Sequence, residues 1–393
     1  MIEIRDVPEA DAGLMVDFAG MVFHVPAEEI DRERDGWPAV RAERIGAFDG
    51  ETKVGQLAAL PMRLAVPGAL LDCSAVTFVG VLPTHRRRGI LTSMMDRMVA
   101  DAIAAGRPVA ALWASQGAIY GRYGFGLATR TIGLEVDTSR PLELRTAPDD
   151  RPLRLVEAGS AFEVVDPIHR RALSVRPGGL VRDPEWWAKG ILRPVDRDAP
   201  GYTAPRIVVH PAGYAVYRVR PGTVRVVDLV ADTPSVEAAL WGFLASIDLT
   251  SRVEAPSRPV DDLLPHMVAD PDRVTIKSDY GALWLRLVDL PAALRARSWA
   301  AEDAFVLEVD DPRIPANAGR WLLKAGGAPA CDPASGPPDL SLSAADLAAV
   351  YLGGQSPVTL VRIGAVAEHT PGAAARLEAA LAVPLAPYLN DDF

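Results

Sequence analysis

The chain of 393 residues contains few of the features that mark disulfide-rich, metal-binding or nucleic-acid-binding proteins. Its two cysteines, Cys73 and Cys331, lie too far apart for a disulfide framework or a metal-ligand spacing. The six histidines show no H-E-x-x-H pairing, so we expect no metal. Acidic residues outnumber basic ones by 51 to 41, for a net charge of −10, which disfavours nucleic acid as a partner and favours a cationic small substrate.

Long hydrophobic runs are missing as well. No apolar run approaches the ~20 residues needed to span a bilayer, and residues 1–6 carry acids where a signal peptide has a basic start. Hydrophobic residues make up 49% and charged residues 23%, which is typical of a globular chain of two or three domains. We therefore expect a cytoplasmic protein with no membrane partner.

A strand, a basic turn and a helix follow one another between residues 77 and 100. The apolar run Thr77–Leu82 ends at Pro83, and the apolar positions of Ile90–Ala100 repeat with helical spacing. Arg86–Gly89 lie between them. Free N–H groups at a helix start, a glycine and arginines together predict a phosphate site; a solvated arginine cluster on an ordinary turn is the alternative. Other phosphate motifs, G-x-x-x-x-G-K-[ST] and a G-x-G-x-x-G between strand and helix, are absent.

Hydrophobic periodicity predicts three successive α/β regions. Residues 2–114 read β-α-α-β-β-β-α-β, with a charged second helix over Ala27–Arg34. A second α/β pattern begins near Pro152, and there the strand Val224–Val230 leads into Asp232 and Pro234 in place of arginines and glycine. Because an acid at a helix start repels anions, this second unit is predicted to lack the phosphate loop. The pattern changes again after residue 287.

The basic turn between the strand and the helix resembles a cofactor-binding loop of a known enzyme family. Arg86–Leu91 after Val79–Val81 resembles the acetyl-CoA pyrophosphate loop of GNAT N-acetyltransferases, and with the segment Ala114–Gly124 it resembles the Eis (enhanced intracellular survival) family over essentially the whole chain. The resemblance implies a mixed α/β (α+β) fold, with tandem GNAT-like folds followed by a sterol-carrier-protein-like domain. We place these domains at residues 1–140, 141–287 and 288–393, the second of them lacking the CoA loop.

The resemblance also implies roles for particular residues. Tyr120, which with Tyr123 is a candidate for chemistry in its segment, corresponds to the family's general acid. Phe393 corresponds to the terminal residue whose carboxylate is the base. The implied acetyl-CoA contacts are Val79, Gly80, Val81, Arg87, Arg88, Gly89, Ile90, Leu91, Thr92, Ser115 and Gln116. The implied partners are a small-molecule amine and identical subunits, as a homohexamer.

The function implied is transfer of acetyl from acetyl-CoA to primary amines of aminoglycoside-like or lysine- and polyamine-like molecules, by direct attack. Cys73 lies within a predicted strand, so a buried structural thiol is expected there, with no acyl-enzyme. The alternatives are a protein or peptide lysine N-acetyltransferase and a non-catalytic acyl-CoA- or lipid-binding module. Val25 stands where the family's amine pocket has an acid, and the residues that compensate are predicted to be Glu28, Glu29, Trp37 and Asp392.

Overall fold

The computed structural model describes residues 1–196 and 199–393. The strands, in chain order, are β1 (Ile2–Asp6), β2 (Glu43–Asp49), β3 (Thr52–Val66), β4 (Ala69–Val81), β5 (Val109–Trp113), β6 (Gly126–Leu127), β7 (Arg130–Asp137), β8 (Arg154–Val156), β9 (Arg206–His210), β10 (Gly213–Arg220), β11 (Gly222–Ala231), β12 (Thr250–Pro259), β13 (Val274–Gly281), β14 (Leu283–Leu287), β15 (Asp303–Asp310), β16 (Gly319–Ala325), β17 (Ala330–Pro333), β18 (Leu340–Ser343) and β19 (Ala367–Glu368).

The α-helices, in chain order, are α1 (Ala12–Phe23), α2 (Arg32–Arg41), α3 (Ile90–Ala104), α4 (Gly117–Tyr120), α5 (Ala158–Leu173), α6 (Pro184–Trp186), α7 (Pro234–Ala245), α8 (Leu264–Met267), α9 (Leu290–Ala296), α10 (Ala344–Val350), α11 (Pro357–Arg362) and α12 (Ala373–Leu381). The chain forms two compact units. The first contains residues 1–128, 282–383 and 393, and the second contains residues 129–281 and 384–392.

The first unit contains two sheets. Its larger sheet has the strand order β1-β2-β3-β4-β5-β14-β6, in which only β4 and β5 pair in parallel. The helix α3 covers this sheet with a methionine-rich face, Met94, Met95 and Met98, which packs on Leu57 and Leu112. That face follows from the helical spacing of apolar residues, since positions three and four apart lie on one side. The smaller sheet has the order β17-β16-β15-β18-β19.

The second unit is built on one sheet with the order β13-β7-β12-β11-β10-β9-β8. Here β11 and β12 pair in parallel, as β4 and β5 do in the first unit. The helix α7 packs its apolar side, including Leu240 and Trp241, on strand residues such as Val224 and Val253. On a separate core, α5 packs Val165 and Ile168 against β9 and β10. The two units therefore repeat one strand–helix–strand arrangement.

The predicted elements are mostly present, with one wrong helix. The chain makes only a single 3-10 turn at Ala27–Glu29, and the second helix runs over Arg32–Arg41 instead of Ala27–Arg34. It starts there because the carboxylate of Asp31 accepts the N–H groups of Glu33 and Arg34, at 3.1 and 3.0 Å. An N-cap of this kind decides where a charged stretch begins its helix.

Sheet membership does not follow chain order. The strand β7 pairs with β12 and β13 in the second unit, whereas β14 pairs with β5 in the first. The periodicity of the sequence indicated neither β7 nor β13. The domain boundaries proposed at residues 140 and 287 stay predictions. Within the described residues, every helix is too short or too polar to cross a bilayer.

Candidate active site

A cavity of about 680 Å³ lies in the first unit beside the end of β4. This volume is within the range of small-molecule sites. It is lined by the end of α1, the end of β4, the loop after β4, the first turn of α3 and the segment around α4. These lining residues are Val22, Phe23, His24, Val79, Gly80, Val81, His85, Arg86, Arg87, Gly89, Ile90, Leu91, Thr92, Ser115, Gln116, Ile119, Tyr120, Arg122 and Tyr123.

The strand β4 presents a free edge to this cavity. Its parallel pairing with β5 runs from Cys73 with Val109 to Val76 with Leu112 and ends there. Just beyond, β4 bulges: Thr77 pairs with Ala58 and Gly80 with Gln56, so two residues of β4 face one of β3. A bulge re-aims the main chain next to a site. The β5-facing side of β4 is therefore open to a ligand beyond Val76.

Gly80 has a packing reason to be glycine. A Cβ at this position would lie 3.2 Å from Val22 and 3.4 Å from Phe18, both on α1. Glycine thus lets α1 approach the strand closely and form one wall of the cavity. The same contact brings the end of α1, with Val22, Phe23 and His24, to the cavity.

The loop after β4 leaves the start of α3 open. Gly89 precedes the helix with φ 79°, a left-handed conformation that favours glycine. The first helical bond runs from the N–H of Ser93 to the carbonyl of Gly89 at 3.0 Å, so the N–H groups of Ile90–Thr92 have no partner within the helix. No side chain of the described residues caps this end, and no acid lies in its first turn. It therefore suits an anion.

The arginines of the loop add positive charge. Arg87 lines the cavity and has φ 64°, which is uncommon for a residue with a side chain. Arg86 is fixed by a bond from its Nε to the carbonyl of Val81, at 3.4 Å. His24, at the end of α1, and Phe78, in the bulge, also have positive φ. Such backbone conformations cluster at functional sites because the surrounding structure must impose them.

Tyr120 and Tyr123 face the same cavity from the short segment after β5. Tyr120 is 5% exposed, and burial, reinforced by the neighbouring Tyr123, raises its pKa to about 12. It therefore stays protonated through the neutral range. Tyr123 is held differently, because its hydroxyl shares a 3.3 Å hydrogen bond with Oγ1 of Thr92 on α3. The two phenols thus differ in their freedom to contact a ligand.

Most of the residues predicted from the sequence lie together here. Of the predicted acetyl-CoA contacts all but Arg88 line the cavity, as does Tyr120. Phe393 belongs to the same unit but is not among the lining residues. Glu28, Glu29 and Trp37 do not line the cavity either. The lining residues that sequence reasoning missed include His24, Ile119 and Arg122, for which the only signal was their nearness in the chain to predicted elements.

Cys73 is buried in the centre of β4, and burial raises the pKa of its thiol to about 12. The predicted burial of this thiol is confirmed. Among the residues described, no group of acids, histidines and cysteines could hold a metal ion.

The corresponding helix start in the second unit, at α7, does not suit an anion. Its strands β11 and β12 also part, after Arg225 and Glu254. However, Oγ1 of Thr233 accepts the N–H of Val236 at 3.3 Å and so caps α7. Asp232, just before this cap, pairs with Arg171 at 2.9 Å. A capped helix start preceded by an acid does not suit a phosphate.

Comparison with known families defines the class of protein. Residues 3–128 and residues 178–287 each match an acetyltransferase (GNAT) domain family, and residues 290–390 match a sterol carrier protein domain family. The chain is therefore an acyltransferase with two GNAT domains and a sterol-carrier-type region. The predicted fold class is confirmed.

Individual relatives narrow this class. The chain is 38% identical, over 100% of its length and 99% of the relative's, to an uncharacterized N-acetyltransferase of Streptomyces avermitilis. It is 36% identical to the N-acetyltransferase Eis of Mycobacterium bovis, with 86% of this chain and 85% of that protein covered. The crystal structure of Eis1 from Mycobacterium abscessus matches with a TM-score of 0.87 at 32% identity, with 100% of both chains covered. The chain belongs to the Eis family of N-acetyltransferases, as its sequence motifs predicted.

Proposed function

We propose that this protein transfers the acetyl group of acetyl-CoA to a primary amine of a small cationic molecule, of the aminoglycoside, lysine or polyamine type. One observation carries the proposal: an open strand edge, an open helix start with an arginine and a buried, protonated tyrosine surround one cavity. The net charge of −10 supports a cationic partner, because it raises the local concentration of cations.

The residues of the cavity suit acetyl-CoA, which would supply the activated acetyl group. The edge of β4 at Val79–Val81 offers main-chain groups to the amide-bearing pantetheine arm. The N–H groups that open α3, with Arg87 beside them, suit the pyrophosphate. Ser115 and Gln116 extend the lining on the β5 side. A main-chain N–H of Val79–Val81 is the donor we assign to the oxyanion that develops during attack.

Proton transfer needs a base and an acid. None of the described residues lining the cavity is Asp or Glu, so no carboxylate side chain there can deprotonate the amine. We assign that role to the α-carboxylate of Phe393, directly or through water, and His24 on the cavity wall is the competing base. Tyr120 donates to the departing sulfur. Direct attack is supported by Cys73, whose buried neutral thiol is a poor nucleophile.

The test measures release of CoA thiol from acetyl-CoA against a panel of amines, in the native chain and in one extended by a few residues after Phe393. We expect turnover with cationic amines, and its loss on extension while acetyl-CoA still binds. Equal turnover in both proteins would remove Phe393 as the base, and His24→Asn would then test the histidine. Binding of acetyl-CoA without turnover of any amine would contradict the proposed reaction.

Competition within the panel tests the substrate class. A lysine peptide that outcompetes polyamines and aminoglycosides would favour a protein or peptide acetyltransferase. The proposal also includes a homohexamer in the cytoplasm. Two free, buried cysteines support a reducing compartment. Light scattering after size exclusion tests the hexamer, and a monomer mass would reject it.

A further inference from the structure

A buried arginine lies behind the segment that carries the two candidate tyrosines. Arg286, on β14, is fully buried, and its Nη2 donates to both carboxylate oxygens of Asp311, at 2.7 and 2.6 Å. Asp311 follows β15 and is itself 2% exposed. Desolvation makes an isolated buried cation very unfavourable, so the partner carboxylate holds the guanidinium in place.

The carboxylate of Asp311 is fixed by a network of its own. Its Oδ1 accepts the N–H groups of Arg313 and Ile314, at 3.2 and 3.0 Å, and its Oδ2 accepts Nδ2 of Asn317 at 3.3 Å. The same amide donates to the carbonyls of Leu287 and Val288, at 3.1 and 3.2 Å. The loop of residues 311–317 is thus tied rigidly to the strand that carries Arg286.

The other side of the Arg286 guanidinium packs against the segment Gly117–Gly124, which carries Tyr120 and Tyr123. Nε and Nη1 of Arg286 are buried with no hydrogen-bond partner among the described residues. A Cβ built on Gly124 would lie 2.3 Å from Nη1 and 2.6 Å from Cζ. Gly124 closes the turn Gly121–Tyr123, which directly follows Tyr120, and its N–H donates to the carbonyl of Gly121 at 2.9 Å. The guanidinium of Arg286 therefore limits how far this turn can move towards β14.

Two further contacts support the same segment. Trp284, two residues before Arg286, would lie 2.6 Å from a Cβ on Gly117, where α4 begins. From the 311–317 loop, the guanidinium of Arg313 lies 5.7 Å from the ring centre of Tyr123, and its Nη1 is 3.4 Å from Asp96 of α3. The strand β14 and this loop thus both contact the segment Gly117–Gly124.

We propose that the Arg286–Asp311 ion pair positions the segment Gly117–Gly124, which carries Tyr120 and Tyr123, so that Asp311, in the sterol-carrier-type region, supports acetyl transfer by holding the proposed acid in place. The proposal rests on the proposed function, because it takes Tyr120 as the donor. Both members of the pair are positioning residues, since neither lines the cavity. A misplacement of about 1 Å at a reacting group costs about 100-fold in rate.

The test compares Arg286→Met and Asp311→Asn with a matched control, Arg297→Met, and with Tyr120→Phe as reference. Arg297 is buried like Arg286, but its guanidinium donates to the carbonyls of Tyr351 and Leu381, away from the segment Gly117–Gly124. We expect the first two variants to lose about 100-fold in kcat, while KM for acetyl-CoA changes much less. Arg297→Met should lose thermal stability but keep kcat per folded molecule. Hydrogen exchange of residues 117–124 should accelerate only in the first two.

The outcomes separate this inference from the proposed function. The positioning role would be overturned if, in Arg286→Met, Asp311→Asn and Arg297→Met alike, kcat fell only in proportion to the loss of folded protein. Full activity in Tyr120→Phe would reject the proposed acid and this inference with it. If Arg286→Met does not fold, Arg313→Ala decides, because this side chain, about one-third exposed, contacts Tyr123 and is not a buried charge. Unchanged kcat and exchange in Arg313→Ala would then overturn the inference.

Discussion

Replacing Tyr120 by phenylalanine removes a single oxygen from the candidate site. The ring is 5% exposed and packs edge-on against Phe125, with 6.2 Å between ring centres, and both features survive the change. The Tyr120 hydroxyl makes no hydrogen bond to another described residue. Its loss should therefore lower the free energy of unfolding by less than about 1 kcal/mol, because no internal hydrogen bond is broken. A change in rate then reports on chemistry and not on folding.

The expected effect on rate follows from the role assigned to the phenol. General acid catalysis contributes roughly 10²- to 10⁴-fold, and at about 1.4 kcal/mol per factor of ten this is about 3–5 kcal/mol of transition-state stabilisation. KM for acetyl-CoA should stay close to that of the native chain, since we propose that β4 and the start of α3, and not Tyr120, hold the cofactor.

The dependence on pH has a definite sign. Burial disfavours the charged phenolate, so it raises the pKa of Tyr120 to about 12. The proton needed for donation is present below that pKa and is lost only above it. The native enzyme should therefore show no fall in kcat near pH 10, where an ordinary tyrosine ionises.

The assay is thiol release under saturating acetyl-CoA, from neutral pH to pH 10.5, for the native chain, Tyr120→Phe and Tyr123→Phe. Tyr123 is the matched control, because it is 4% exposed and lines the same cavity but its hydroxyl already bonds Thr92. A kcat of Tyr120→Phe equal to that of the native chain would refute the reasoning. A larger loss in Tyr123→Phe would move the acid role to Tyr123.

Three other predictions follow from the loop and the C-terminal segment. Arg87→Gln should raise KM for acetyl-CoA roughly 10-fold or more, since a bond to a charged group contributes about 1.5–3 kcal/mol; Arg88→Gln, outside the cavity lining, should raise it less, and equal effects would contradict a specific contact. Gly89→Ala should lower stability by about 1–2 kcal/mol in urea unfolding, because its φ is 79°; an unchanged midpoint would contradict this. Asp391→Asn should cost about 3–5 kcal/mol, because it leaves Arg182, 1% exposed and 2.7 Å away, as a buried charge with a weaker partner; a loss below 1 kcal/mol would show that Asp228 alone compensates it.

The arginine-containing end of the candidate site could be predicted because it is local in sequence. The strand end, the arginines, Gly89 and the first turn of α3 are consecutive, so helix-start physics and glycine conformation act on neighbouring residues. The contrast with the second unit was local too, since Asp232 and Thr233 directly precede α7. Tyr120 was found by resemblance, and its burial came only from the fold.

Contacts between segments that are distant in the sequence could not be predicted, because they depend on the tertiary fold and not on neighbouring residues. The pairing of β14 with β5 joins residues 170 to 178 positions apart, and no periodicity in either strand encodes its partner. The wall formed by Val22 and His24 depends on how α1 packs over Gly80. The start of α2 was misplaced because one cap, Asp31, outweighed a run of similar charges.

The sequence by itself determined the family, the open start of α3 and its degenerate counterpart in the second unit, because each is set by residues close together in the chain. Only the tertiary structure decided which side chains share the cavity and what stands behind Tyr120 and Tyr123. Arg286 and Asp311 belong to no sequence motif, and only the fold shows that both are buried and paired. A buried cation is stable only beside a carboxylate, and the resulting pair restricts the segment that packs against it.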